Sequence, residues 1–375
     1  MYFAFDMKYY IIAGEASGDL HGSNLIKELK KLDDAADIRC WGGDLMQQAG
    51  AHLVKHYRDL AFMGFAEIVK NLGTILRNLK FCKQDILEFE PDALVLIDYP
   101  GFNLRIAKWA KKQGLKVIFY ISPQVWAWKE NRVKEMKKDI DKMIVIIPFE
   151  KEYFKKRWNW EVEYVGHPLA EEIESQKSKI QTQKYSDKPI IALLPGSRKQ
   201  EIAKKLPIML EVSKFFHHYQ FIVAEAPSVD NEFYQNFTKS YSNVSSVKNQ
   251  TYNLLSQSKA ALVTSGTATL ETALFGVPEV VCYKGSAVSY QIAKRVIKVK
   301  YISLVNLIMN RPVVKELIQN DLTEHNLKHE LQELLKNEKR IDELKRDYAE
   351  LKRILSEGGN ASENAAKVII DFLSK

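Results

Sequence analysis

Short apolar runs alternate with longer amphipathic stretches along the whole chain. Lys8–Ala13 is an apolar run that predicts a strand, a Gly/Ser turn follows, and the spacing from His21 to Lys31 predicts an amphipathic helix. Ala93–Ile97, Lys116–Ile121 and Lys142–Ile147 read as further strands. Near-continuous apolar runs of this kind belong to parallel strands buried on both faces. A polar stretch, Glu171–Lys188, reads as a linker or surface excursion, after which strands resume at Pro189–Leu194, Phe221–Ala224, Ala260–Val263 and Glu279–Tyr283. Leu331–Leu355 is heavily charged and helical, and Ala361–Leu373 predicts an amphipathic last helix. The predicted class is α/β, with a Rossmann-like domain over residues 1–170, a second over 187–345 and C-terminal helices over 346–375. No internal repeat or low-complexity tract breaks the alternation.

Composition narrows the class without naming a chemistry. A chain of 375 residues is too long for one ordinary core and suits two domains. With 46% hydrophobic and 27% charged residues it is not a disordered chain. Lys and Arg number 55 against 47 Asp and Glu, and the net charge of +8 suits an anionic partner such as a nucleotide, a phosphorylated lipid or an acidic membrane. Nucleic acid is not expected, because no helix-turn-helix, zinc or RNP signature occurs. The 3 cysteines, Cys40, Cys82 and Cys282, are far apart and form no CxxC, which predicts buried or idle thiols, a reducing compartment and no metal site. The first residues lack the basic-then-apolar order of a secretory signal, and no run reaches the ~18 apolar residues of a spanning helix. The expectation is a cytoplasmic protein, soluble or peripheral to a membrane.

In open parallel sheets ligands gather beyond the carboxyl ends of the strands, so the residues there are the candidates. Gly14-Glu15-Ala16-Ser17-Gly18-Asp19 follows the first strand; it suits close ligand approach to a helix N-terminus, or is an ordinary turn with Asp19 as a cap. Asp98 ends an apolar strand before Tyr99, Pro100, Gly101, Phe102 and Asn103, where a carboxylate of raised pKa can take the proton of an attacking sugar hydroxyl, or can cap a turn. Gln124, Trp126 and Trp128 follow another strand; the indoles either line a sugar or acyl pocket or fill the core under the loop. Gly196, Ser197 and Arg198 make a compact anion turn in which Arg198 can grip diphosphate oxygens. Thr264, Ser265, Gly266 and Thr267 open a helix suited to phosphate, and Glu271 lies one turn in, where it could accept both hydroxyls of a ribose or serve as a first-turn acid. Asn306, an amide inside an apolar run, is a structural hydrogen-bonder or a ligand contact. Phe65, Ile68, Val69, Leu72, Ile75 and Leu76, interleaved with Lys70, Arg77 and Lys80, make a stretch that docks on anionic lipid or faces the core.

Taken in order, these motifs resemble the lipid-A-disaccharide synthase family. The resemblance also takes in Ser122–Trp128, Pro148–Glu150, Gly166–Ala170, Leu194–Arg198, Thr264–Glu271 and Ser303–Ile308, and so runs nearly the full length; the family carries proline where Val305 stands. It implies a GT-B fold, two Rossmann-like domains facing a cleft with the C-terminal helix crossing back to the first. It implies an inverting transfer without metal or cofactor from UDP-2,3-diacylglucosamine to 2,3-diacylglucosamine 1-phosphate, giving a β-1',6-linked disaccharide and UDP. Asp98 then matches the base, and Arg198 and Asn306 match residues needed for activity. Gly196, Ser197, Ser265, Gly266, Thr267 and Glu271 would join Arg198 at the donor. Gly14, Ser17, Gly18, Asn103, Gln124 and Trp126 would meet the acceptor or a sugar. The resemblance further implies a peripheral enzyme of the inner-membrane surface and leaves a homodimer open. The competing readings are another GT-B UDP-GlcNAc transferase or epimerase, and a non-catalytic nucleotide or anionic-lipid binding protein.

Overall fold

The structure, a computed structural model, describes residues 6–60, 72–178, 180, 183–286, 290 and 299–374. The chain divides into two compact units, one made of Met1–Pro168 with Ser356–Lys375 and the other of Leu169–Leu355.

The first unit is built on strands β1 (Lys8–Ala13), β2 (Asp37–Gly42), β3 (His52–His56), β4 (Ala93–Ile97), β5 (Lys116–Tyr120), β6 (Lys142–Val145) and β7 (Glu163–Tyr164). They form one sheet in the order β3-β2-β1-β4-β5-β6-β7, every paired neighbour parallel. Helices α1 (Ala16–Leu32), α2 (Asp44–Gln48), α3 (Leu72–Phe89), α4 (Pro100–Lys112) and α5 (Pro148–Trp158) supply its connections. The side chains of β4 are all fully buried, as a central parallel strand covered on both faces requires. The second unit carries β8 (Ile190–Leu194), β9 (Gln220–Glu225), β10 (Val244–Lys248), β11 (Ser258–Thr264), β12 (Glu279–Tyr283) and β13 (Lys315–Ile318), parallel throughout in the order β10-β9-β8-β11-β12-β13. The helices used below are α6 (Lys199–Ser213), α7 (Thr267–Leu274), α8 (Leu304–Met309), α9 (Glu338–Ser356) and α10 (Ala361–Leu373).

The last helix returns to the first unit, as the GT-B expectation required. Helix α10 packs on α1 through a face that includes buried Ala361, Ala365, Ala366 and Ile369. The chain just before it runs against Gly166: a Cβ added at Gly358 would sit 2.3 Å from the Gly166 Cα. Small residues on both sides make that approach sterically possible.

Four local expectations need correction. Helix α1 begins at Ala16 rather than His21, because Glu15 already adopts the extended backbone of an N-cap. Strand β6 ends at Val145, since Ile147 is the N-cap of α5, with Pro148 at its start. The polar stretch after Pro168 is helical through Lys177, tied by Gln176 donating to Glu172 at 2.8 Å and by buried Ile173. The charged run near the end is two helices, Glu324–Lys336 and α9, divided at Asn337, whose side chain accepts from the Arg340 N–H at 3.1 Å.

Candidate functional site

In each sheet the strand order reverses at one point, between β1 and β4 in the first unit and between β8 and β11 in the second. The crevice outside the carboxyl ends of the strands at such a reversal is where α/β folds receive ligands. The motifs that follow β1, β4, β8 and β11 lie at these two places, whereas Gln124–Trp128 follow β5 and Asn306 lies on α8 ahead of β13.

At the first reversal, β4 ends in two consecutive left-handed residues, Asp98 at φ 45° and Tyr99 at φ 49°. Tyrosine disfavours that region and aspartate only tolerates it, and a strained residue of this kind costs about 1–3 kcal/mol and persists where its surroundings impose it. Asn103 imposes it. Fully buried on α4, it donates its amide to the backbone carbonyls of Asp98 (2.8 Å), Ile97 (3.2 Å) and Ile12 (3.4 Å), tying the ends of β4 and β1 together. Gly14 completes the fit, because a Cβ there would meet the Tyr99 ring at 2.3 Å. The Asp98 carboxyl is half-buried, and its pKa rises to about 6, first through desolvation and then through the negative charge of Glu15; the Tyr99 N–H pulls weakly the other way.

The neighbouring residues divide by geometry. Ser17 is exposed in the first turn of α1, whereas Gly18 is buried where a Cβ would stand 3.0 Å from that of Ala13, so it serves close helix–sheet packing. Asp19 is a cap, but not of its own helix: 3% exposed, it accepts from the N–H groups of Gly43 (2.8 Å), Leu45 (3.2 Å) and Met46 (3.1 Å) at the start of α2. Gln124 is exposed. Trp126 is half-buried and donates its indole N–H to Glu150 at 3.0 Å, and Trp128 is 46% exposed with the Lys129 ammonium 4.3 Å from its ring centre. Glu150, which the sequence reading left without a role, is 1% exposed and also accepts the N–H of Ile147, the N-cap of its own helix, at 3.2 Å. Burial pushes its pKa up to about 8 against the pull of those donors, and the charge of Asp98 adds a smaller rise.

At the second reversal, Gly196 (φ 121°) turns the chain out of β8, and Ser197 and Arg198 are exposed beyond it. Arg198 is the N-cap residue of α6 and meets Glu201 at 3.3 Å. Beside it, Gly266 (φ 141°) is the N-cap of α7, Thr267 is exposed, and the Ser265 hydroxyl donates to the Ile302 carbonyl at 2.8 Å. Glu271 opens on a pocket of about 460 Å³ lined also by Asn249, Gln250, Thr251, Tyr252 and Asn253 from the segment after β10. Desolvation lifts the Glu271 pKa to about 7, and a hydrogen bond from Thr267 opposes the rise. Lys205, absent from the sequence reading, lies 2% exposed behind Gly196.

Asn306 is 1% exposed and spends its amide within the fold. It donates to Val314 O and Glu316 Oε1, each at 2.9 Å, and accepts the Val314 N–H at 2.9 Å. Glu316 in turn accepts the N–H groups of Ile302 (3.1 Å) and Ser303 (2.9 Å), and Ile302 is the partner of Ser265. The amide therefore braces the Ser265–Gly266 turn at second hand. Val305 is the second residue of α8, a position that has no intrahelical N–H partner, so valine in place of proline leaves the helix start intact.

Of the apolar positions assigned to lipid, Phe65, Ile68 and Val69 lie outside the described residues, as does the side chain of Leu72. Ile75 packs half-buried on the core of the first unit, while Leu76 is 58% exposed on α3, followed by exposed Phe81 and Leu87 and interleaved with exposed Arg77 and Lys80. No helix among the described residues is long and apolar enough to cross a membrane, and no described group of His, Cys, Asp and Glu is arranged to hold a metal ion.

Comparison with known proteins places the chain in a family. The lipid-A-disaccharide synthetase family profile matches residues 9–370. The chain is 36% identical over 374 residues to the lipid-A-disaccharide synthase of Geobacter metallireducens, covering 97% of each chain. It is 38% identical over 371 residues to that of Coxiella burnetii, covering 97% of this chain and 98% of the other. Among solved structures it resembles the UDP-GlcNAc 2-epimerase of Neisseria meningitidis bound to UDP-GlcNAc, with a TM-score of 0.69 at 13% identity over 98% of this chain and 100% of that one. It also resembles the calicheamicin glycosyltransferase CalG4, with a TM-score of 0.63 at 15% identity over 98% of each chain. At such identities the structural likeness speaks for the fold.

Proposed function

The chain belongs to the lipid-A-disaccharide synthetase family and is a glycosyltransferase that forms the lipid A disaccharide; we propose that its substrates are UDP-2,3-diacylglucosamine and 2,3-diacylglucosamine 1-phosphate. The observation that carries the reading is the chemistry gathered at the two strand-order reversals, a half-buried carboxyl of raised pKa in the first unit and an arginine-bearing glycine turn in the second. The acceptor's 6-hydroxyl oxygen attacks the anomeric carbon of the donor sugar. The bond from that carbon to the diphosphate oxygen breaks, UDP departs with the electron pair, and the β-1',6 link forms with inversion. Asp98 takes the hydroxyl proton as the new bond forms. Arg198, the Gly196–Ser197 turn and the N–H groups at the start of α7 stabilise the negative charge that develops on the leaving diphosphate. Asn103 and Gly14 act on the acceptor side by holding Asp98 in its left-handed turn, and Glu150 orients Trp126.

Glu271 and its pocket suit the nucleoside. A carboxylate accepts two ribose hydroxyls, whereas a neutral carboxyl accepts less well. Since the Glu271 pKa is raised to about 7, its ionised fraction grows as pH rises through that value, and uridine affinity rises with it. Titration calorimetry with uridine from pH 5.5 to 8.5 measures this; a flat profile, on the order of twofold or less, removes Glu271 from the ribose.

The exposed Leu76, Phe81 and Leu87 with Arg77 and Lys80 support a peripheral attachment of α3 to an anionic inner-membrane surface. One preparation tests both parts. In detergent micelles with EDTA, the two acylated substrates are expected to give disaccharide and UDP by mass spectrometry. Folded protein that binds UDP and makes no disaccharide would turn the assignment toward unacylated UDP-sugars. Flotation with anionic vesicles is expected to carry the protein upward, and protein left in the bottom fraction removes the membrane role.

A further inference from the structure

Helix α6 starts at the anion turn, and residues three and seven positions after Arg198 return to the same helical face. These residues are Glu201 and Lys205. Long side chains on a helix run back toward its N-terminus, so the Lys205 ammonium is carried toward the turn, while its neighbour Lys204 points outward and is exposed. A Cβ added at Gly196 would stand 3.4 Å from Lys205 Nζ and 2.9 Å from Glu201 Oε2. The ammonium thus borders the space left by the missing side chain at Gly196, as does the Glu201 carboxylate.

The surroundings of Lys205 are those of a cation awaiting an anion. The residue is 2% exposed, and among the described residues its hydrogen bond is to the Thr264 hydroxyl at the carboxyl end of β11. An ammonium has three donors, so among the described residues two remain to be used. Glu201 lies near enough to favour the charged form, yet among the described residues its ion pair is with Arg198 and not with Lys205. A buried charge without a counterion is costly and is retained where something offsets it. Desolvation pulls the Lys205 pKa down, which an incoming anion would reverse.

Resting on the donor-site reading above, we propose that Lys205 is a further diphosphate-binding residue. Its ammonium reaches past Gly196 to the sugar nucleotide's phosphate oxygens from the side opposite Arg198. Arg198, exposed and paired with Glu201, grips from solvent, and Lys205 supplies a charge from a desolvated wall. The charge lies where the departing UDP gains its electrons, so Lys205 contributes to turnover as well as to binding.

The test uses the full chain, with UDP, inorganic diphosphate and uridine as probes in titration calorimetry. Lys205→Met keeps the length and loses the charge. It is expected to weaken UDP and inorganic diphosphate by about 30-fold while uridine binds as to the native protein, in keeping with the strength of hydrogen bonds to charged groups. Without ligand its Tm is expected to be equal or higher, because a buried unpaired charge has been removed. A lysine that only supports the fold would lower Tm and leave UDP affinity unchanged, and that result overturns the proposal. If the methionine variant does not fold, Lys205→Gln, which keeps a donor for Thr264 without the charge, decides by the same comparison. If the native protein does not bind UDP, the donor reading fails by itself, and inorganic diphosphate still judges Lys205: weaker binding to the variant supports an anion site there, and equal binding overturns it.

Discussion

Asp98→Asn is expected to lower turnover about 10³-fold, within the range of a lost general base, with UDP affinity unchanged and Tm equal or raised. Asparagine has the shape of aspartate and the same tolerance of left-handed backbone, so the turn held by Asn103 survives. What is lost is the group that accepts the hydroxyl proton. The sign of the stability change follows from the raised pKa. A carboxyl whose folded pKa lies above its unfolded value favours the folded state below the unfolded value and loses that advantage as pH climbs through about 6. At pH 7 the Asp98 carboxylate is thus a burden, desolvated and facing Glu15, and a neutral amide escapes it. At saturating donor, which removes the separate pH dependence of Glu271, the native enzyme should also show an acid limb in kcat/KM for the acceptor near pH 6, because the base must be ionised, and the residual rate of the variant should lack that limb. Near-native turnover in the variant, or a native profile flat through pH 6, would take the base role away from Asp98. A drop in UDP affinity would mean instead that Asp98 supports the donor.

Much of this architecture is legible in the sequence because parallel strands buried on both faces write themselves as apolar runs, and the residue after each run is fixed at a strand end. Asp98, Gly196 and Gly266 could be located in that way. The sheet order could not, since nothing local says that β1 pairs with both β2 and β4. Side chains whose partners are remote in sequence were the other loss. Asp19 looked like a cap for the helix it sits in and caps α2 instead, 24 to 27 residues away. Asn103 looked like a sugar contact and instead holds carbonyls of two strands. Ile75 belongs to a helix whose apolar stripe faces the core, and only the Leu76 side of that helix is presented outward. Lys205 was hidden in the run Lys199 to Lys205, where four charged residues among seven read as a solvated face. Helical spacing from Arg198 was the available signal, and the turn itself had to be known to face ligand before that spacing meant anything.

Asn306→Ala is expected to destabilise the second unit by about 3 kcal/mol and to lower donor affinity, a combination that separates a brace from a contact. Alanine would leave the Val314 N–H and C=O without the amide that pairs with both, and would strip Glu316 of its side-chain donor. Each unpaired buried group costs about 1–3 kcal/mol, not fully additively, because neighbours and water relax around the gap. For a unit of this size the loss corresponds to a fall in Tm of about 8 °C. The functional loss should follow through Glu316, which then holds the Ile302 and Ser303 N–H groups less firmly, so that the carbonyl partner of Ser265 shifts. Asn306→Asp provides the contrast. It retains an acceptor for the Val314 N–H but sets a carboxylate against Glu316 and a second acceptor against the Val314 carbonyl, so it should be at least as destabilised as alanine at pH 7 and recover as pH falls and the pair takes up a proton. A residue that touched substrate directly would behave otherwise, losing turnover in the alanine variant at native Tm. That pattern, read by calorimetric melting beside a UDP titration, would move Asn306 from the scaffold of the donor turn to the reacting sugars.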